Sequence, residues 1–188
     1  FKHADRLLSL NISGNELTAL DVNYSTEMTT LDASNNKLSS ITLPTEHSIT
    51  SLKLQGNALD FNTLPQGDGI TQYTYAPQQD VKISKQGPGV DLSYYMYDGQ
   101  TTYVWSKEGS TLVEGTDYTQ DGGKFVFAPS LVGSTLVCKM SNSHFPGLTI
   151  TTSEFNVSGM PTNQIASFTT LESEVGIVTL RSCIQRNT

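Results

Sequence analysis

The chain has 188 residues, enough for one ordinary domain or two small ones. Only 15% are charged, the formal net charge is −7, and no Lys/Arg cluster opposes that field, which excludes nucleic acid as a natural partner. No apolar run approaches the roughly 18 residues of a membrane-spanning helix.

The chain begins Phe1-Lys2-His3-Ala4-Asp5, without a basic-then-apolar leader or a polar capping segment, as expected of a piece excised from a longer chain. A repeat follows. Leu7, Leu10, Ile12, Asn15, Leu17, Leu20 and Val22 recur as Met28, Leu31, Ala33, Asn36, Leu38, Ile41 and Leu43. They recur again as Ile49, Leu52, Leu54, Asn57 and Leu59, each step being 21 residues. The alternation of Leu10 with Ile12 predicts a short strand with one buried face. After it the chain turns inward, where an asparagine amide can both donate to and accept from backbone groups that water cannot reach. Asn15, Asn36 and Asn57 are therefore expected to be structural. The residues between the buried positions form three outward columns on a concave sheet: Ser9, Thr30, Ser51; Asn11, Asp32, Lys53; and Ser13, Ser34, Gln55. Solenoids bind ligands on this face, and short hydroxyls and amides suit a peptide or a glycan. Aromatic or arginine anchors, common in tight interfaces, are missing from the columns.

The period stops at Leu64-Pro65-Gln66-Gly67-Asp68-Gly69, a boundary signal. Short strands are predicted beyond it, at 72–76, 81–84, 90–94, 102–107, 124–127, 134–140 and 148–157, separated by turn clusters, as in a β-sandwich. Ser158-Gly159-Met160-Pro161 reads as a linker, and 168–171 and 175–180 as strands opening a further domain.

Here the sequence resembles known families. The repeats look like bacterial extracellular leucine-rich repeats, and a repeat block running into a sandwich is similar to the internalin arrangement and to surface proteins of gut bacteria. Tyr75-Ala76-Pro77-Gln78, Thr102-Tyr103-Val104-Trp105, Cys138-Lys139-Met140-Ser141-Asn142 and Phe145-Pro146 resemble the immunoglobulin-like module of those gut proteins. The resemblance implies a Cys–Trp–Cys core in which Leu92 replaces the first cysteine, Cys138 is the second, and Leu136 stands where a corner tyrosine would be. No cross-sheet disulfide is then expected, and the core rests on Trp105 against Leu92 and Cys138.

Further candidate sites are few. In Tyr94-Tyr95-Met96-Tyr97, alternation from an inward Leu92 sends Tyr94 and Met96 inward and leaves Tyr95 and Tyr97 outside, where they could stack on sugars or anchor a partner. His3, His47 and His144 are scattered, so no metal site or cofactor is expected. No nucleophile motif appears, and an enzyme is not expected. Asp117 and Asp121 read as turn residues. The Asn-x-Ser triplets at Asn11, Asn23 and Asn156 are taken as coincidence. Cys138 and Cys183 are read as free thiols, with a disulfide between them as the alternative.

The expected fold class is an α/β-type leucine-rich-repeat solenoid over residues 1–66 followed by an all-β immunoglobulin-like sandwich over 67–158, mostly β overall, with 159–188 a linker and the start of a truncated domain. The sandwich is expected to cap the solenoid. The expected function is non-enzymatic: a secreted or bacterial cell-surface adhesion protein binding a protein or peptide, including one from a host. The alternatives are a glycan-binding module and a structural stalk. Ligand identity and oligomeric state stay open.

Overall fold

The computed structural model describes residues 6–83 and 86–159. Cys183, His3 and the strands expected at 168–171 and 175–180 lie outside them. The repeats form a parallel β-solenoid of about three turns. Strands β1 (Ser9–Asn11), β3 (Thr30–Asp32), β5 (Ser51–Lys53) and β6 (Gln72–Thr74) make one parallel sheet in that order, while β2 (Ala19–Asp21) and β4 (Ser40–Thr42) pair on the return side. The register repeats the sequence period, with Leu10 beside Leu31, Leu31 beside Leu52 and Leu52 beside Tyr73.

The α/β expectation is overturned. Among the described residues there is no α-helix, only two single 3-10 turns at Ser93–Tyr95 and Pro129–Leu131. The mostly-β expectation stands. The return segments explain why a helix does not form. A repeat of 21 residues spends half its length on the strand and its turn, and what remains is shorter than the roughly 12 residues a marginal helix needs. Leu20 and Val22 are both buried while Ala19 and Asp21 are exposed, a period of two that belongs to a strand. Thr42 and Pro44 weigh against helix in the next coil as well.

The parallel sheet also runs past residue 66. Gln72–Thr74, expected to open the sandwich, instead hydrogen-bonds in parallel to β5. Ile70, Tyr73, Tyr75 and Gln78 stand 21 residues after Ile49, Leu52, Leu54 and Asn57. They form a fourth, aromatic version of the repeat.

The sandwich-like part has two antiparallel sheets. One is β10 (Tyr118–Asp121), β11 (Lys124–Phe127) and β7 (Gly89–Asp91). The other is β13 (Thr149–Thr151), β12 (Thr135–Asn142), β8 (Thr101–Lys107) and β9 (Ser110–Thr111), with β14 (Phe155–Asn156) also on β12. Trp105 and Cys138 face each other across β8 and β12, both fully buried, and Leu92 and Leu136 are buried with them. The tryptophan's aromatic neighbours are Phe127, Phe125 and Phe155, with ring centroids at 4.9, 5.5 and 6.3 Å. Gly123, at φ +85°, lets β11 pass close to this core, since a Cβ there would lie 2.8 Å from the Tyr103 hydroxyl and 2.9 Å from Ser93 Cα. Buried apolar residues continue from the coils into the sandwich as one cluster.

Candidate recognition surface

The surface rests on a ladder of side-chain amides. Asn36 Nδ2 donates to Ile12 O at 3.0 Å in the preceding coil and to Ala33 O at 3.1 Å in its own, while its Oδ1 accepts from Leu17 N at 3.1 Å. Asn57 repeats this with Ala33 O, Leu54 O and Leu38 N at 3.0, 2.9 and 3.0 Å. Gln78 is the next rung, donating to Leu54 O at 2.9 Å and accepting from Leu59 N at 3.1 Å. Its longer side chain supplies the same amide, which is why a search for asparagine alone misses it. Asn15 is exposed and, among the described residues, bonds only within its own coil, to Ile12 O at 2.9 Å and Ser13 O at 3.2 Å. A second ladder of hydroxyls accompanies the amides: Thr29, Thr50 and Thr71 donate to Leu8 O, Thr29 O and Thr50 O at 3.1, 3.4 and 3.1 Å.

Strand alternation then sets what faces out. Ser9, Asn11 and Lys53 are exposed, and Thr30, Asp32 and Ser51 half-buried. The unlooked-for β6 adds Gln72 and Thr74 to their columns, both exposed. The third column sinks. Ser13 and Gln55 are half-buried and Ser34 is buried, so Ser34 leaves the outward set. The cause is local: at this step the chain bends toward the amide ladder, and the serine closes on the residue two before it. Ser34 Oγ and N donate to Asp32 Oδ1 at 2.6 and 3.1 Å, as Ser13 Oγ and N do to Asn11 Oδ1 at 2.8 and 3.0 Å. Lys53 Nζ lies 3.5 Å from Asp32 Oδ2. Burial acts to raise the Asp32 pKa, but the Ser34 bonds and the Lys53 charge outweigh it and hold the carboxyl below its ordinary value.

The tyrosines reverse their expected places. Residues 93–95 form a 3-10 turn, so alternation fails there. Tyr94 is 59% exposed, whereas Tyr95 and Tyr97 are half-buried. Tyr97 accepts a hydrogen bond from Gln66 Nε2 at 2.9 Å and packs on His144 and Phe145, with ring centroids at 5.3 and 6.1 Å. Tyr97 belongs to the junction between solenoid and sandwich, while Tyr95 meets the Tyr94 ring edge-on at 5.0 Å and accepts at its carbonyl from Thr101 Oγ1 at 2.7 Å.

Phe145 is the centre of that junction. Carried on the loop between β12 and β13, it is 2% exposed and meets Phe61 at 6.3 Å and Tyr75 at 5.8 Å. The Tyr75 hydroxyl donates to Pro146 O at 2.7 Å, and Asn62 Nδ2 donates to Tyr94 O at 2.6 Å. The sandwich therefore covers the last coil, as expected of a cap. The sequence offered Phe145-Pro146 as part of a resemblance, without showing that it plugs the solenoid.

Elsewhere the chemistry is quiet. His144 Nε2 is 3.6 Å from Asp98 Oδ2, and His47 Nδ1 accepts from Ile49 N at 3.3 Å. Asp117 Oδ2 accepts from Val113 N at 2.8 Å, the turn role expected of it. Cys138 is a free thiol in the sandwich core, its pKa pushed up to about 12 by burial. Among the described residues no group of three or more His, Cys, Asp or Glu side chains is placed to hold a metal, and no helix is long and apolar enough to cross a membrane. No family model, curated protein or solved structure matches the chain.

Proposed function

We propose that the chain is a non-enzymatic recognition module, a leucine-rich-repeat-type β-solenoid carried on an immunoglobulin-like sandwich, which binds a protein or peptide along its parallel sheet at a bacterial cell surface or in secreted form. The observation that carries the reading is the four-stranded sheet itself. Its outward positions offer Ser9, Asn11, Thr30, Ser51, Lys53, Gln72 and Thr74 as a mixed array of donors and acceptors at strand spacing. Rigid strands lower the cost of ordering such groups on binding. The buried amide ladder beneath fixes their spacing, and the sandwich anchors one end.

A random peptide library displayed on phage and selected on the immobilised chain tests this. Enriched peptides are expected to lose at least about tenfold in affinity in the Asn11→Ala, Lys53→Ala, Thr74→Ala triple variant, or about 1.4 kcal/mol. Enriched peptides that bind the triple variant unchanged, or no enrichment, would refute the sheet as the binding surface. A structural stalk is the second reading. It is favoured by the way Ser13, Ser34 and Lys53 turn to Asn11 and Asp32, spending some of the face on itself. It predicts no enrichment at all. The glycan reading is the less supported, because Tyr97 packs into the junction and Tyr95 is half-buried.

A further inference from the structure

On its outward face the parallel sheet turns its side-chain acceptors back on itself. Asn11 Oδ1 and Asp32 Oδ1 each accept from the serine two residues on, Ser13 and Ser34. The third coil breaks this habit. Lys53 takes the step held by Asn11 and Asp32, and Gln55 the step of the serines, so the column passes from satisfied acceptors to a cation. Among the outward positions of this sheet Lys53 is the only cation and Asp32 the only anion.

The two charges are not equally available. The Lys53 side chain is 50% exposed and that of Asp32 only 19%. Asp32 has one oxygen on Ser34 and the other facing Lys53 Nζ at 3.5 Å. An ammonium carries three N–H groups, and Asp32 takes up one direction, so Lys53 keeps donors for a molecule lying on the sheet. Thr74 stands opposite Lys53 on β6, one strand spacing of roughly 4.8 Å away. It is exposed, as is Gln72 two residues before it.

We propose, on the premise that the sheet is the binding surface, that its ligand is an extended peptide bearing an aspartate or glutamate whose carboxylate docks on Lys53, with the Thr74 hydroxyl as second donor. Charge complementarity selects this occupant. A carboxylate is the group that an ammonium and a hydroxyl at strand spacing both satisfy, and hydrogen bonds with an ionised partner are roughly twice as strong as neutral ones. A basic ligand residue would meet the Lys53 charge first, and would find the Asp32 carboxylate half-buried with both oxygens engaged. A carboxylate at a chain end fits less well. Thr30 and Ser51 lie on one side of the site and Gln72 on the other, so a strand passes over it rather than stopping there. The net charge of −7 repels a strongly acidic ligand at long range, but salt screens that field beyond about 8 Å at physiological strength. The peptide is therefore mostly neutral, and its acid is read by the local contact.

The phage selection is run in parallel on the full chain and on Lys53→Glu. Peptides enriched on the chain are expected to share one Asp or Glu, and those enriched on the variant to carry Lys or Arg there. An enriched peptide is then synthesised with both ends capped, which removes its terminal carboxylate. Changing its acid to the amide should weaken binding to the chain by about tenfold, and to Lys53→Gln by less than about twofold. Asp32→Asn, which removes the competing carboxylate, should tighten the acidic peptide by about threefold, an effect that a merely structural Lys53 would not give. Peptides that share no acid, yet weaken in the Asn11→Ala, Lys53→Ala, Thr74→Ala variant, would overturn the acid and leave the sheet as the binding surface. An acid preference that survives Lys53→Gln would overturn the anchor. No enrichment at all would overturn both the acid and the sheet.

Discussion

Asn57 and Asn15 hold the same step of the repeat and differ in what depends on them. Asn57 is fully buried and serves Ala33 O, Leu54 O and Leu38 N, so removing its amide strands Leu38 N away from water and leaves Ala33 O and Leu54 O to Asn36 and Gln78 alone. Asn57→Ala is expected to cost about 3 kcal/mol by urea denaturation, against about 1 kcal/mol or less for the exposed Asn15→Ala. Equal losses would show that the ladder is not a buried support. Asp32 gives a pH signature. Its folded pKa lies below the unfolded one, so its contribution is present above the ordinary value of 3.8 and is lost as pH falls through the folded value. The gap in Tm between the chain and Asp32→Asn should therefore shrink between neutral pH and the acid limit, and a constant gap would contradict the assignment. With its pKa pushed up to about 12 by burial, the Cys138 thiol carries almost no thiolate at neutral pH. Alkylation mapped by peptide mass should label it only as fast as the sandwich opens, and immediate labelling in the native chain would refute its burial.

At the scale of elements, Phe145 couples two structures that share no sheet. Its ring fills the space under Phe61 and Tyr75, and truncation leaves a cavity that neither side can close without moving a strand. Phe145→Ala should cost about 3–5 kcal/mol, measured by denaturation with probes in both parts. A loss confined to the sandwich would mean that the junction does not support the solenoid. The sequence disclosed the coils but not this contact, and the reason is physical. Period 21 is written in local spacing: Leu10, Leu31 and Leu52 take the same step of successive coils, so the pattern repeats wherever the stacking does. The junction is a single, non-repeating meeting of Phe61, Tyr75, Tyr97 and Phe145, and no spacing announces it. The same difference explains two misread segments. The fourth coil was hidden because Tyr73, Tyr75 and Gln78 preserve the chemistry of Leu52, Leu54 and Asn57 in larger side chains suited to the junction. Tyr95 and Tyr97 were misplaced because alternation presumes a strand, and a single 3-10 turn at Ser93–Tyr95 breaks it. Trp105 and Cys138 could be read as core from a resemblance alone, but their Phe125, Phe127 and Phe155 surroundings could not.

Among the described residues, the two ends of the solenoid are unequal, and this should set the order in which they open. A repeat protein gains stability mainly from each coil's neighbours, so an end coil with one neighbour frays before an interior one. The fourth coil escapes this, because the sandwich stands where its next neighbour would be and adds the Tyr75–Pro146 and Asn62–Tyr94 hydrogen bonds. The first coil has no such cover among the described residues. Ile12 N, Ala33 N and Leu54 N occupy one step of the repeat and donate to equivalent carbonyls at 2.8, 3.0 and 2.7 Å, so bond geometry alone would protect them alike. Position in the stack should separate them. Amide exchange under native conditions is expected to give protection rising from Ile12 to Ala33 to Leu54, with Ile12 exchanging by local fraying and Leu54 only when the junction gives way. Phe145→Ala should then lower Leu54 protection far more than that of Ile12. Uniform protection across the three amides would instead mean that the coils open together, and that the stack is held by something other than contact between neighbours.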